Sequence, residues 1–574
     1  MLIKVEKFSG MIPLLDDQLL PENNAVDAVN ASLYGGNITG FKPDREIRTL
    51  ANPSAKKVFR IPLDVDTKPD VNFSNSIWME FTDPDTDVVR SPVAQDQFAR
   101  YYWASPSTGL RYNTLARIQA GQASFRVGIP QPLTAPLVSP SATASEVQET
   151  RAYVYTYVSA YDEEGPPSTA TIAAGKADSV WTITVAPPTT GQATDRNLEH
   201  IRIYRTITGE ALIGQYFFVV EIPVTQSIFV DSFLSTQVVN NGILTSVNSV
   251  APVDSLQGIV AMPNGILAGW RDADIYFCEP YLPHSWPAEY GIVASAPIVG
   301  LAVFGQTLVI PTANVPHAAS GIHPSGMTLT KIETVEPCLS RASIMTAPEG
   351  VYYAGPNGLV RWQPGNVENI TSNLVERIDW QQIVNPWTLR ACRFGTAYMG
   401  VNAPRAGAGR GVVVDPSNQN ASYAYLDDPR PIQTFTEDPW SGEVFVVYSG
   451  KVWHIDPPDI KVIQPYTWRS KLFHLPHPIN FSALQADFIV PEGTTALNPV
   501  VNPALDQTLA ADQWGLIKVY ANGTHIVTHE VRDPTQVMRL PSGFKKKEWQ
   551  FEVTSRVIIQ NIEMATSVAE LRRE

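Results

Sequence analysis

Apolar and polar positions alternate with a period of two along much of this chain, the spacing of half-buried β-strands. The clearest run is Tyr153-Val154-Tyr155-Thr156-Tyr157-Val158-Ser159-Ala160, closed by the turn Asp162-Glu163-Glu164-Gly165-Pro166-Pro167-Ser168. Further strands are predicted at 179–185, 201–205, 216–221 and near 227–231. This is the strand spacing of an immunoglobulin-like or fibronectin-like sandwich. Ahead of it, 56–130 reads as strands and turns, with Ile77-Trp78-Met79-Glu80-Phe81 and Tyr101-Tyr102-Trp103 as the plainest strands. Residues 131–150, rich in Pro, Ser, Ala and Thr, read as a linker. One segment follows a helical period instead. Between Pro21 and Gly36, Ala25, Ala28, Val29 and Leu33 share one helical face, Asn24 can cap it, Asp27 sits in its first turn and Gly35 can end it.

Residues 251–460 carry an approximate internal repeat. Each unit is a short apolar strand reached through a glycine turn: Asn264-Gly265-Ile266, Phe304-Gly305-Gln306, Glu349-Gly350-Val351, Phe394-Gly395-Thr396 and Ser441-Gly442-Glu443. The turns recur roughly every 40–47 residues, the length of a four-stranded propeller blade. Second strands follow at Gly358-Leu359-Val360-Arg361-Trp362 and Lys451-Val452-Trp453-His454-Ile455. Residues 461–574 end in alternating strands around Trp549–Val553 and Arg556–Ile559. The expectation is an all-β chain: a β-propeller-like core, an inserted fibronectin/Ig-like β-sandwich, a C-terminal β region and one short N-terminal helix. Its boundaries are 1–55 for the N-terminal segment with the helix, 56–130 for propeller strands, 131–250 for the sandwich with its linkers, 251–460 for propeller blades and 461–574 for the C-terminal β domain. The strands of 56–130 are expected to close the propeller of 251–460.

Composition agrees with sheet. The 47 prolines are spread along all 574 residues, which suits many turns and opposes long helices. A net charge of −14, with 42 dispersed Lys and Arg, opposes broad nucleic-acid binding. The one tight basic run, Lys545-Lys546-Lys547, reads as a solvated strand end. Three distant cysteines, Cys278, Cys338 and Cys392, form neither a disulfide framework nor a CxxC metal site and suit a reducing compartment. No apolar run reaches the ~20 residues of a membrane span, and the first residues lack a signal-peptide core. Synthesis in the cytosol without a cleaved export signal is the expectation.

Candidate chemistry is sparse. Asp83-Pro84-Asp85-Thr86-Asp87 opens like a calcium loop, but Val88 and Ala94 stand where an EF-hand needs Gly and Glu. His474 and His477 flank Pro476, which forbids a zinc-binding helix, and no third ligand is near. His284, in Pro283-His284-Ser285-Trp286-Pro287, reads as a loop hydrogen-bonder. No nucleophile elbow, phosphate loop or dinucleotide fingerprint is present. No catalytic, cofactor-binding or metal residue is therefore assigned, no cofactor is expected, and the chain reads as a non-enzyme.

Several fragments resemble virion proteins of tailed phages: Phe8-Ser9-Gly10-Met11-Ile12-Pro13, Leu282-Pro283-His284-Ser285-Trp286-Pro287, the runs 325–331 and 337–343, Val351–Val360, and Arg469-Ser470-Lys471 with Asn480-Phe481. They leave out the module at 150–250. The plan resembles the tail nozzle or tail-hub proteins of short-tailed bacteriophages (podoviruses). That resemblance implies a structural subunit of the virion tail, made in the host cytoplasm. It would form a homo-oligomer, a hexameric ring below portal and adaptor, which conducts genomic DNA during ejection and carries tail fibres or spikes. The lumen of such a ring is expected to be acidic or neutral, so that DNA slides through without sequence-specific binding. The alternative function is a carbohydrate-binding or carbohydrate-degrading propeller used in host attachment.

Overall fold

The computed structural model describes residues 1–64, 70–207, 214–402, 409–416, 422–428, 430–489, 514–533 and 536–571. The chain divides into two compact units. One comprises Met1–Asp85, Pro311–Pro316 and Ile332–Glu574, and the other Thr86–Ile310 with His317–Lys331. Both are built from mostly antiparallel sheets, most of them of two to four strands and one, in the first unit, of ten, so the chain is all-β. No helix among the described residues is long and apolar enough to cross a membrane.

The second unit holds three four-stranded meanders of propeller-blade size. The first runs Asp87–Arg90, Arg100–Ser105, Gly109–Thr114 and Phe125–Arg126. The second runs Gly258–Met262, Ile266–Arg271, Asp274–Phe277 and Ile292–Val293. The third runs Ala302–Phe304, Thr307–Ile310, His317–Ser320 and Thr328–Lys331. The repeated glycine turns join the first two strands of their sheets. In the three-residue loop between the paired Met262 and Ile266, Asn264 and Gly265 both have positive φ, 63° and 75°, the left-handed region that Asn and Gly tolerate best.

Between the first and second meanders lies the sandwich. Leu137–Pro140, Trp181–Thr184 and Ile228–Asp231 form one sheet. The other has the order Thr171–Lys176, Gln148–Ser159, Leu198–Arg205, Phe217–Pro223. Alternate residues Tyr153, Tyr155 and Tyr157 point inward onto Trp181, Ile183, Ile201 and Ile203. Part of the expected linker 131–150 is thus structured. Leu137–Pro140 is an edge strand, where a proline's missing N–H costs no ladder bond.

The first unit contains a meander of Met345–Ala347, Gly350–Gly355, Gly358–Gln363 and Asn366–Asn369. A further sheet has Phe435–Glu437, Val444–Tyr448 and Lys451–His454, completed by Arg45–Thr49. The completing strand therefore comes from the N-terminal segment, whereas among the described residues Lys57–Pro62 and Ser76–Phe81 pair only with each other. Leu389–Phe394, Ala397–Asn402, Gly411–Asp415 and Ser422–Leu426 continue into the C-terminal strands through Ala25–Val29 as one sheet. Trp380, Trp468, Trp549, Tyr352 and Tyr398 fill the core beneath.

Ala25–Val29 corrects the expected N-terminal helix. It is a strand, parallel to Ser422–Leu426 and antiparallel to Tyr466–Ser470. A register shift between Ala25 and Asp27 inserts one residue, so that Ala25 and Ala28 both face the core at a helix-like spacing of three. The bulge mimics helical periodicity, and sheet pairing overrides local propensity. Asn24, the expected cap, donates its side-chain amide to the Gly10 carbonyl at 2.8 Å. Only Tyr34–Gly36 turns, as a single 3₁₀ turn.

Candidate interaction site at the sandwich junction

A cluster of buried charge lies where the sandwich meets its flanking meanders. The inbound segment leaves Phe125–Arg126 through Val127, Gly128 and Ile129, and the outbound segment returns through Ser249–Pro252. They touch at Gly128, which has φ +89° and where an added Cβ would lie 2.6 Å from Pro252 and 2.7 Å from Ala251. The Ser249 hydroxyl donates to the Glu164 carbonyl at 2.9 Å, and the Trp286 N–H to the Val250 carbonyl at 2.7 Å.

Glu163 is presented by the tight turn after Gln148–Ser159, with Asp162 at φ 61°. Its carboxylate accepts from Arg100 Nη1 at 2.5 Å, while Arg100 Nε donates to Asp96 at 2.8 Å. His284 Nδ1 stands 3.7 Å from Glu163 Oε1. These side chains are at most 9% exposed. Burial alone would raise the Asp96 carboxyl, but hydrogen bonds from Arg100 and Ser91 outweigh it and hold it below the ordinary range. Burial lowers the His284 imidazole, and the Glu163 charge offsets this in part. The chemical capacity of such a cluster is a fixed clamp, because one guanidinium spans two carboxylates from different chain segments.

A more exposed set flanks it. Arg111 and Arg126 stand directly opposite on paired strands, a like-charge pair that needs anions nearby. Asp195 supplies one at 3.6 and 3.5 Å, and Asp254 reaches Arg126 at 3.5 Å and Arg196 at 3.3 Å. Arg196 also donates to the carbonyls of Val127 and Gly128, both at 2.8 Å, which ties the sandwich helix Thr190–Asp195 to the inbound segment. Inside the sandwich, Asp231 accepts from Tyr153 at 2.8 Å and pairs with Arg205 at 3.0 Å, and Arg151 pairs with Glu149 at 3.0 Å.

The residues singled out by sequence lie mostly elsewhere. Asp83 caps the Asp85 N–H at 3.0 Å as a local turn, and Asp87 accepts from the Ile259 N–H at 3.1 Å. Among the described residues no three His, Cys, Asp or Glu side chains gather as metal ligands. His474 and His477 are exposed on Phe473–Ile479. Lys545 and Lys547 are exposed at the start of Lys546–Ser555. All three cysteines are buried, and burial pushes the Cys278 and Cys338 thiols up to about 12, far from nucleophilic thiolates. A cavity of about 200 Å³ beside Leu33, Phe394 and Val413 is smaller than ordinary ligand pockets. Arg100, Asp96 and Glu163 escaped sequence reasoning. Glu163 was visible only as part of a turn, and nothing local pairs positions 63 residues apart.

No family profile matches the chain, and no curated protein matches it. Among solved structures it is similar to apo AztD from Citrobacter koseri, at 11% identity and a TM-score of 0.26, over 54% of this chain and 80% of that one. It is similar to the Neurospora crassa Pan2 WD40 domain at 11% identity and a TM-score of 0.25, over 49% of this chain and 87% of that one. BBS1N, solved in complex with ARL6DN and soaked with lead, gives 10% identity and a TM-score of 0.24, over 72% and 99%. Likenesses of this depth transfer no activity to the chain.

Proposed function

We propose that this chain is a non-catalytic structural subunit of a short-tailed phage tail, a ring-forming nozzle or hub protein through which DNA leaves the virion and on which fibres or spikes dock. The observation that supports this most is the junction. The inserted sandwich is clamped to its neighbouring meanders by buried charge and by close backbone packing at Gly128, so the module and its platform move together. A load-bearing subunit needs that stiffness, whereas a module on a flexible tether would not transmit force. The phage-like sequence fragments support this class of assembly.

Electron microscopy of the purified full chain at micromolar concentration tests the reading. Closed rings of one symmetry are the expected result. A monomer that binds capsular or lipopolysaccharide glycans on an array, or that turns them over, would instead establish the attachment function and refute the structural one.

A further inference from the structure

Two sequence features that the junction does not use come together in the first unit. Phe473–Ile479 pairs antiparallel with Lys546–Ser555: Phe473 faces Trp549, His474 faces Glu548, and after an irregularity Ile479 faces Lys546. Leu475, Pro476, His477 and Pro478 therefore all stand opposite Lys547, in a bulge that contains two prolines. Proline fixes φ, so this bulge is stiff. His474, Pro476, His477, Pro478, Lys545 and Lys547 are all exposed.

The lysines also differ from several others in the chain. Lys4, Lys451 and Lys518 each sit against a glutamate at 3.1, 2.6 and 3.1 Å. Among the described residues Lys545, Lys546 and Lys547 have no carboxylate partner. Glu548 is the nearest acid in sequence, and it faces His474 at 3.7 Å. On a chain of net charge −14 this is a local surplus of at least two positive charges on a rigid strand end. Lys545 and Lys547 are both exposed, two residues apart, where the strand Lys546–Ser555 begins.

We propose that this lysine–histidine strand end is a weak, sequence-independent contact for the phosphodiester backbone of nucleic acid. Ammonium groups pair with phosphate oxygens as point charges, and an imidazole N–H adds a donor beside them. The proposal rests on the ring-subunit reading, in which the available polyanion is the DNA being conducted.

Fluorescence anisotropy of a 20-base-pair duplex, titrated with the full chain between 25 and 200 mM salt, tests it. Three phosphate contacts predict a log–log salt slope of about −2.7 and non-specific affinity of about 10⁻⁴–10⁻⁶ M. Lys545→Gln/Lys547→Gln removes two contacts, so the slope should fall to about −0.9 and binding at low salt should weaken at least about tenfold. Lys56→Gln, an exposed lysine elsewhere, should change the slope by less than about half a unit. Both variants should melt with the parent, because the altered side chains are exposed. Absence of binding at 25 mM salt overturns the proposal, as does binding whose slope the double variant leaves unchanged. Lysine-dependent binding to anionic vesicles without binding to duplex overturns the assignment to nucleic acid. Ring formation is read independently by microscopy, so rings without duplex binding refute this contact alone, and no rings refute the underlying reading.

Discussion

Arg100→Met is the sharpest perturbation of the junction. The side chains of Arg100 and Glu163 are 8% and 7% exposed, so water screens their contact very little. Removing the guanidinium leaves Asp96 and Glu163 as two buried carboxylates, and the loss of one partner from a buried pair costs about 3–5 kcal/mol. Glu163→Gln is milder, since an amide oxygen can still accept from Arg100 and Asp96 still compensates its charge; about 2 kcal/mol is expected. In the double variant the second change should be cheaper by about 1–3 kcal/mol, the coupling of residues in one network. With two compact units the chain need not unfold in one step, so a global melt is the wrong instrument. Hydrogen exchange with mass spectrometry, read on peptides covering 157–166 and 279–287, gives the local opening free energy directly. Arg100→Met changing that energy by under about 1 kcal/mol, or a cycle additive to within about 0.5 kcal/mol, would refute the clamp.

Gly128→Ala should destabilise the second unit by about 2–4 kcal/mol, because the methyl meets Pro252 and Ala251 and φ is positive; hydrogen exchange on peptides covering 125–130 and 249–256 checks it. His284 has a folded-state pKa below its ordinary 6.5, so the folded state takes up fewer protons than the unfolded one on acidification. Its contribution is fully present above pH 6.5 and is lost as pH falls below that value, and His284→Gln should flatten this part of the exchange-versus-pH profile. Asp456 has the opposite sign: burial, opposed by the Lys42 N–H, pushes its carboxyl up to about 6. Stability should therefore fall as pH rises from about 4 to 6, and Asp456→Asn, which keeps an acceptor for the 2.6 Å bond from Lys42 N, should gain about 1–2 kcal/mol at pH 7 in urea titrations.

The repeat was legible because a hairpin needs particular residues at particular places, and each glycine turn joins the first two strands of its sheet. The sandwich was legible for a similar reason: inward tyrosines at 153, 155 and 157 require strand periodicity, and Trp181 is the large residue they enclose. The helix at 24–35 was misread because a bulge reproduces the spacing of a helix face. Arg45–Thr49 was overlooked because Arg-Glu-Ile-Arg-Thr is nearly all polar, yet an edge strand tolerates charge on both faces. The clamp was illegible in principle. Asp96, Arg100, Glu163 and His284 look like surface residues wherever they occur in the sequence, and only the folded chain brings them together.

The strand pairings of the first unit set an order of events during synthesis. Leu2–Val5 pairs with Ile558–Ala565, Ala25–Val29 lies between Ser422–Leu426 and Tyr466–Ser470, and Arg45–Thr49 waits for Lys451–His454. At about 5–20 residues per second, some 550 residues separate the emergence of the first of these partners from the last by roughly half a minute to two minutes. Throughout that interval early strands have open edges, while the second unit, whose pairings all lie between 86 and 331, can already close. A chain that stops before residue 558 lacks a strand at one end and strands an unpaired one at the other, so a late nonsense mutation acts as a folding lesion on the oldest part of the molecule.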